Sequence, residues 1–265
     1  MDKKLKKIPM IKIGGLNNSN YLIELQNEKY VLRIPSNDTS NNFYSEHEIL
    51  SLIKKYNISP EIAYHNKDNG ILLSKYIDST KFNLEFYNSN TFINNLVTTL
   101  KKIHCLECNN YFNPFNEIYN NIDFLNSVNF IFNHDINLLV TKLKDLEIKL
   151  CKKIHYGLCH NDLNTSNILS CNNIVYLIDF EFSGMGDIFF DLATISWFLK
   201  DEIQDELIKK YFGYFDIELK QKLKDYLYVV KLWNATWSYK KSIDSKSDYD
   251  YRLGGNMILD DLINY

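Results

Sequence analysis

The run His160-Asn161-Asp162-Leu163-Asn164-Thr165-Ser166-Asn167 holds the densest set of reactive groups in the chain, and Asp179-Phe180-Glu181 begins twelve residues after Asn167. Between them lie two short apolar stretches, Ile168-Leu169 and Ile174-Val175-Tyr176-Leu177-Ile178, separated by Ser170-Cys171-Asn172-Asn173. They read as a hairpin, which would set Asn167 and Asp179 facing each other. An amide carbonyl and a carboxylate so placed are the hard oxygen donors that magnesium takes, and could hold that ion against phosphate oxygens. Asp162, five residues before Asn167, lies in the loop just ahead, where it could accept a proton from an attacking hydroxyl. A base and two oxygen ligands for a divalent cation are the parts that phosphoryl transfer needs. Asp and Asn also cap turns, but an HxDxxxxN run followed at hairpin distance by DFE asks for more than capping.

A second set of groups stands near the start of the chain. Gly14-Gly15-Leu16-Asn17-Asn18-Ser19-Asn20 is a loop-forming stretch whose Gly, Asn and Ser residues tolerate tight turns. It precedes the strand run Tyr30-Val31-Leu32-Arg33-Ile34, whose Arg33 could pair with the α- and β-phosphates of a nucleotide. Glu46, on the helix that follows, could hold Arg33 in place; Glu48, two residues on, faces elsewhere on that helix. Arginine offers a planar fork of donors and keeps its charge. The chain has only two arginines, Arg33 and Arg252, among 30 basic residues.

Positioning these groups takes two kinds of architecture. Residues 8–35 read as strands around a turn, with runs Tyr21–Leu25 and Tyr30–Ile34 ended by Pro35. Phe43–Tyr56 has helical apolar spacing at Ile49, Leu52 and Ile53, with Pro60 as its stop. Tyr64–Lys75 gives two more strands around Lys67-Asp68-Asn69-Gly70. From about Leu84 the pattern is helical, over Phe92–His104 and in pieces over Ile118–Leu150. It is broken by the hairpin and resumes near Phe190. Leu219–Lys240 reads as a long helix carrying Trp233 and Trp237 four residues apart, with Tyr249 and Tyr251 beyond it. Both tryptophans are open to two readings, core packing or a face that attracts a cation.

Composition narrows the function classes. The chain has 265 residues, 45% hydrophobic and 24% charged, which suits a folded protein with a substantial core. A net charge of −3 supplies no basic field for nucleic acid. Asparagine, about one residue in eight, is weak chemical evidence wherever it stands alone. No run of 18 apolar residues exists to span a membrane. The lysine-rich start is not followed by an apolar export region, and the five cysteines make an odd count. The expectation is a cytoplasmic protein with reduced thiols.

Gly14-Gly15-Leu16, Arg33, His160-Asn161-Asp162, Asp179-Phe180-Glu181 and Phe190-Asp191-Leu192-Ala193 together resemble the choline/ethanolamine kinase family. Within it they look most like the short bacterial choline kinases, in the broader aminoglycoside-phosphotransferase-like superfamily. The resemblance runs from about Ile8 to Tyr251, strong around 158–193 and thin in 80–155. It implies an α+β, bilobal protein-kinase-like fold, with a small antiparallel-sheet N-lobe over 1–78 and a mostly helical C-lobe over 79–265. It further implies transfer of the γ-phosphoryl group of ATP to a small amino-alcohol, choline foremost, giving phosphocholine and ADP.

By that resemblance Asp162 is the base, and Asn167 and Asp179 bind magnesium. Gly15, Asn17, Asn18, Ser19, Asn20, Arg33 and Glu46 serve the phosphates. Leu73–Ile77, including Lys75, Tyr76 and Ile77, forms the hinge against which adenine lies. Asp162, Asn164, Glu181, Trp233, Trp237 and Tyr249 surround the acceptor. The expected partner is this small molecule, without nucleic acid or membrane insertion. Two alternatives stay open. One keeps the fold and changes the acceptor to ethanolamine, thiamine, a sugar alcohol or an aminoglycoside; Asp244, Asp248, Asp250, Asp260 and Asp261 could serve a polycationic substrate. The other is a catalytically inactive nucleotide-binding protein, against which the intact Asp162, Asn167 and Asp179 argue.

Overall fold

Strand-forming residues dominate the first third of the chain, and they close into one antiparallel sheet. The computed structural model describes residues 8–14, 18–35, 43–79, 83–245 and 247–263. Strands β1 (Ile11–Gly14), β2 (Asn18–Leu25), β3 (Glu28–Pro35), β4 (Ile62–His65) and β5 (Leu72–Lys75) pair in the order β1-β2-β3-β5-β4. Gln26 and Asn27, both at positive φ, make the tight β2–β3 turn. Arg33 thus sits on the central strand, opposite Asn20 of β2 and Leu72 of β5. Helix α1 (Phe43–Ile53) buries Ile49, Leu50 and Ile53. It tightens into a 3-10 turn over Lys54–Tyr56 and ends at Asn57, at a φ of 54°. A left-handed cap therefore stops it ahead of Pro60.

The rest is mainly helical. Helices α2 (Leu84–Tyr87), α3 (Asn90–His104), α4 (Pro114–Ser127) and α5 (Ile136–Leu150) each begin on a side-chain cap, from Asn83, Ser89, Asn113 and Asp135 respectively. Such caps satisfy amide groups that a first helical turn leaves unpaired. Four short strands follow: β6 (Tyr156–Cys159), β7 (Ile168–Cys171), β8 (Ile174–Leu177) and β9 (Gly184–Asp187). The β7–β8 pair is the hairpin that the sequence predicts, turning on Asn172 and Asn173 at positive φ.

The β6–β9 pair, Tyr156 opposite Asp187, is not evident in the sequence. Gly-Met-Gly-Asp lacks an apolar pattern, and a Cβ at Gly184 or Gly186 of β9 would lie 3.2 Å from the carbonyl oxygen of Asn110 or Phe112. A Cβ at Gly157, on its partner strand, would lie 2.5 Å from the His104 carbonyl oxygen.

Helices α6 (Phe189–Ser196), α7 (Asp201–Phe212), α8 (Ile217–Asp244) and α9 (Tyr251–Ile263) complete the chain. From Asp225 to Tyr239, α8 runs through the core with nearly every residue buried. Among the described residues, no helix is long and apolar enough to cross a membrane.

Candidate active site

A cleft of about 580 Å³ separates the sheet from the helical part and takes lining residues from both. The β7–β8 hairpin sets its floor. Because β7 starts at Ile168 and β8 ends at Leu177, Asn167 and Asp179 flank the hairpin's open end, and Ile178 N–H donates to the Asn167 carbonyl at 3.0 Å. Asn167 Nδ2 donates to the Asp162 carboxylate at 2.7 Å and to its carbonyl at 2.9 Å. Asn164 Nδ2 donates to the other Asp162 oxygen at 3.0 Å. With its amide group turned to Asp162, Asn167 keeps its carbonyl oxygen for another partner.

The loop carrying Asp162 is held from behind. Asp191 is fully buried and accepts the amides of His160 and Asn161, each at 2.7 Å. His104 Nε2 meets the same carboxylate at 3.0 Å, and Tyr211 Oη meets His104 Nδ1 at 2.7 Å. His160 lies 2.9 Å from the Ile178 carbonyl through Nε2, and accepts the Asp162 amide on Nδ1 at 3.2 Å. Asn161 and Asp179 both take positive φ, 65° and 67°. Side chains other than glycine adopt that region rarely, and it recurs where a group must be aimed.

On the sheet side, Arg33 grips Glu46 with two parallel bonds of 2.8 and 2.5 Å, and its Nη1 also donates to Asp179 Oδ1 at 2.9 Å. Burial opposes the charge on Arg33, but Glu46 and Asp179 outweigh it and raise its pKa. Burial likewise opposes charge on Glu46, yet His65 and Arg33 hold that carboxyl down at about 2. His65, on β4, stands 3.6 Å from Glu46 and stacks on His47. Nothing in the spacing of His47 and His65 announces this pair.

The opposite trend governs the acids in the cleft. Burial pushes Asp162 up to about 7, with help from Asp179 and against the hydrogen bonds of Asn164 and Asn167. Glu181 rises to about 8 through burial and the charges of Asp179 and Asp162. Asp179 is raised by burial, with Arg33 opposing. Three crowded carboxylates and an amide oxygen form a hard, all-oxygen donor set whose mutual repulsion a divalent cation would relieve. The residues present therefore fit magnesium.

The expected site residues are distributed as follows. Asn18, Asn20, Arg33, Glu46, Lys75, Tyr76 and Ile77 line the sheet side of the cleft. Ser19 does not, since successive strand residues alternate faces and its neighbours Asn18 and Asn20 face the cleft. Gly15 and Asn17 lie outside the described residues. The Lys75 ammonium is turned to Glu28, 2.9 Å away on the surface. Asp162, Asn164, Asn167, Asp179, Glu181, Trp233 and Trp237 line the other side.

Trp233 is only 3% exposed, with its ring against Phe112, Phe182 and Phe190. It is the backing of the wall more than its surface. Tyr249 does not line the cleft. It borders a separate recess with Phe130 and Arg252, and its ring meets Tyr251, which in turn meets Trp237. Its hydroxyl folds over Gly254, where a Cβ would come within 2.5 Å. Asn234 lines the cleft without having been singled out as a site residue.

The sequence matches the phosphotransferase enzyme family over residues 11–226. The chain belongs to that family. Protein LicA of Haemophilus influenzae is 28% identical over 213 residues, 77% of this chain and 62% of that protein, so the chain spans less than two thirds of that relative's length. Among solved structures, a choline/ethanolamine kinase family protein from Mesorhizobium loti superposes with a TM-score of 0.84 at 20% identity, covering 97% of this chain and 87% of that one. The choline kinase LicA from Streptococcus pneumoniae gives 0.83 at 21% identity, covering 99% and 96%. These likenesses show the fold: this phosphotransferase has the bilobal, protein-kinase-like architecture, a small antiparallel sheet followed by a mostly helical lobe.

Proposed function

We propose that this phosphotransferase moves the γ-phosphoryl group of ATP to the hydroxyl of a small amino-alcohol, with choline as the leading acceptor, giving phosphocholine and ADP. The observation that carries the proposal is the single cleft in which Arg33, Asp162, Asn167 and Asp179 converge beside Trp237. The resemblance to proteins whose names include choline kinase supports the choice of acceptor.

The geometry supports the following roles. Asp162 takes the proton of the acceptor hydroxyl, and its two oxygens are oriented by Asn164 and Asn167. Asn167, through its carbonyl oxygen, and Asp179 would hold magnesium, which supplies charge neutralisation on the phosphate oxygens. Arg33, fixed by Glu46, presents positive charge to the phosphates. The amides of Lys75 and Tyr76 are taken by the carbonyls of Glu61 and Lys29, at 2.8 and 2.9 Å. A purine edge would therefore meet the remaining backbone groups of the segment running to Ile77. On the acceptor side, the Trp237 ring attracts a cationic head group, and such ring contacts are worth about 0.5–2 kcal/mol; a cation bound there would in turn favour the ionised form of Glu181, whose pKa stands at about 8 in the ligand-free cleft.

An aminoglycoside acceptor is less well supported. Among the described residues lining the cleft, none is Asp244, Asp248, Asp250, Asp260 or Asp261. Asp260 meets His134 and Asp261 meets Lys231 instead.

The test follows ADP release by the purified protein with magnesium and ATP, adding choline, ethanolamine or no acceptor. Choline-dependent turnover is expected. Turnover that no small alcohol stimulates would remove the reading.

A further inference from the structure

Helix α8 lines the cleft with Trp233, Asn234 and Trp237, and beside the buried Trp233 the two more open residues are chemically unlike. From Asp225 to Tyr239 every α8 residue is buried except Asn234 and Trp237. They stand three apart, hence on one face of the helix, and both line the cleft. Trp237 offers a ring whose surroundings are partly committed: Tyr251 meets it edge-on at 5.9 Å, and the Lys241 ammonium lies 5.6 Å from its centroid. Asn234 offers an amide. Its Nδ2 donates to the Val230 carbonyl at 2.9 Å, which fixes the orientation of the group and leaves Oδ1 as an acceptor. Among the described residues, no donor meets that oxygen.

Two kinds of ammonium would use this wall differently. A quaternary ammonium has no N–H and can draw only on the ring face and on the acids of the cleft. A primary, secondary or protonated tertiary ammonium can draw on both and also donate to Oδ1 of Asn234.

We infer that Asn234 is a specificity-determining residue: its amide oxygen accepts a hydrogen bond from an N–H-bearing ammonium. The pocket therefore takes primary, secondary and tertiary amino-alcohols alongside the quaternary one. The inference rests on the reading of the protein as an amino-alcohol kinase and names what sets the range of that activity.

The test is a methylation series. kcat/KM is measured for ethanolamine, N-methylethanolamine, N,N-dimethylethanolamine and choline, in the wild type, Asn234→Leu and Asn234→Ala. Loss of a hydrogen bond to a charged donor corresponds to a roughly 10- to 100-fold drop. Both variants are expected to lose about that much kcat/KM for ethanolamine while choline changes less than about threefold, a contrast that general damage to the fold would not produce. Two variants of different size guard against one failing to fold. Equal losses on ethanolamine and choline, or no loss on either, would overturn the role of Asn234 and leave the kinase reading intact. A wild type that turns over choline and rejects every N–H-bearing acceptor would do the same. Absence of acceptor-dependent turnover with all four alcohols would overturn both.

Discussion

Arg33 and Asp179, 146 residues apart in sequence, meet across the cleft, with Nη1 of the guanidinium 2.9 Å from Oδ1 of the carboxylate. The same guanidinium holds Glu46 bidentately, so one buried cation serves an acid from each lobe. Its Nε–H is buried and meets no acceptor among the described residues. The carboxylate proposed to hold magnesium is thus neutralised by a side chain proposed to face the phosphates. Asp179 would hold magnesium and Arg33 would face the phosphates, so the charge that Arg33 gives Asp179 is one the metal would supply.

Arg33→Lys keeps the charge but cannot hold two carboxylates with a fork of donors. The expected result is a rise of about 10-fold or more in the KM for ATP, the scale of one lost charge-assisted hydrogen bond. Initial-rate kinetics at saturating acceptor would measure it. An unchanged KM would detach Arg33 from the nucleotide.

Asp162→Ala removes the proposed base and leaves the sheet side of the cleft untouched. kcat is expected to fall by about 10²–10⁴, the usual contribution of general base catalysis. Stabilisation of the variant by ADP and magnesium in a thermal melt should persist. A variant within a few-fold of wild-type kcat would move the base elsewhere.

Asp162 at about 7 and Glu181 at about 8 lie well above ordinary carboxyl values, so the folded protein holds protons that the unfolded chain releases. Stability from this source is full below about pH 4, where both states are protonated, and is lost as pH rises through about 7–8. The ligand-free protein should therefore melt at lower temperature at pH 8.5 than at pH 6, and magnesium with ADP should narrow the gap. kcat/KM for the acceptor should rise with pH as Asp162 loses its proton, with a midpoint below the value of about 7 in the ligand-free cleft because bound magnesium would favour the carboxylate. A melting temperature that climbs from pH 6 to 8.5 would contradict the burial of these acids.

Trp233 and Trp237 should separate cleanly on mutation. Trp233→Ala empties a site walled by Phe112, Phe182 and Phe190. It should cost about 3–5 kcal/mol of stability. Trp237→Ala should leave the fold largely intact and raise the KM for choline by up to about 30-fold, the upper range of one cation–π contact. Denaturant melts alongside acceptor kinetics would read both, and a reversed pattern would exchange the two roles.

The residues proposed to act on phosphate and magnesium were legible because their spacing is local. A hairpin of fixed length sets Asn167 and Asp179, and five residues set Asp162 against Asn167, so short-range geometry determines their meeting. The Arg33–Glu46 pair was legible for a similar reason, a strand followed by the next helix. The β6–β9 pair, the support of Asp191 by His104 and Tyr211, and the His65 contact to Glu46 were not. Each joins segments far apart in sequence through burial, which leaves no periodic trace.

The acceptor wall divides along the same line. Sequence alone placed two tryptophans on one long helix and tyrosines beyond it. Helical spacing does not say which arc of a buried helix meets the cleft and which meets the core. Packing decided that: Phe112, Phe182 and Phe190 bury Trp233 at the back of the cleft wall, Tyr249 closes over Gly254, and Asn234 and Trp237 are left as the more open α8 residues of that wall. Covalent spacing determines contacts along the chain. The rotation of α8 depends on how all its neighbours fill space around it, and only the tertiary structure carries that.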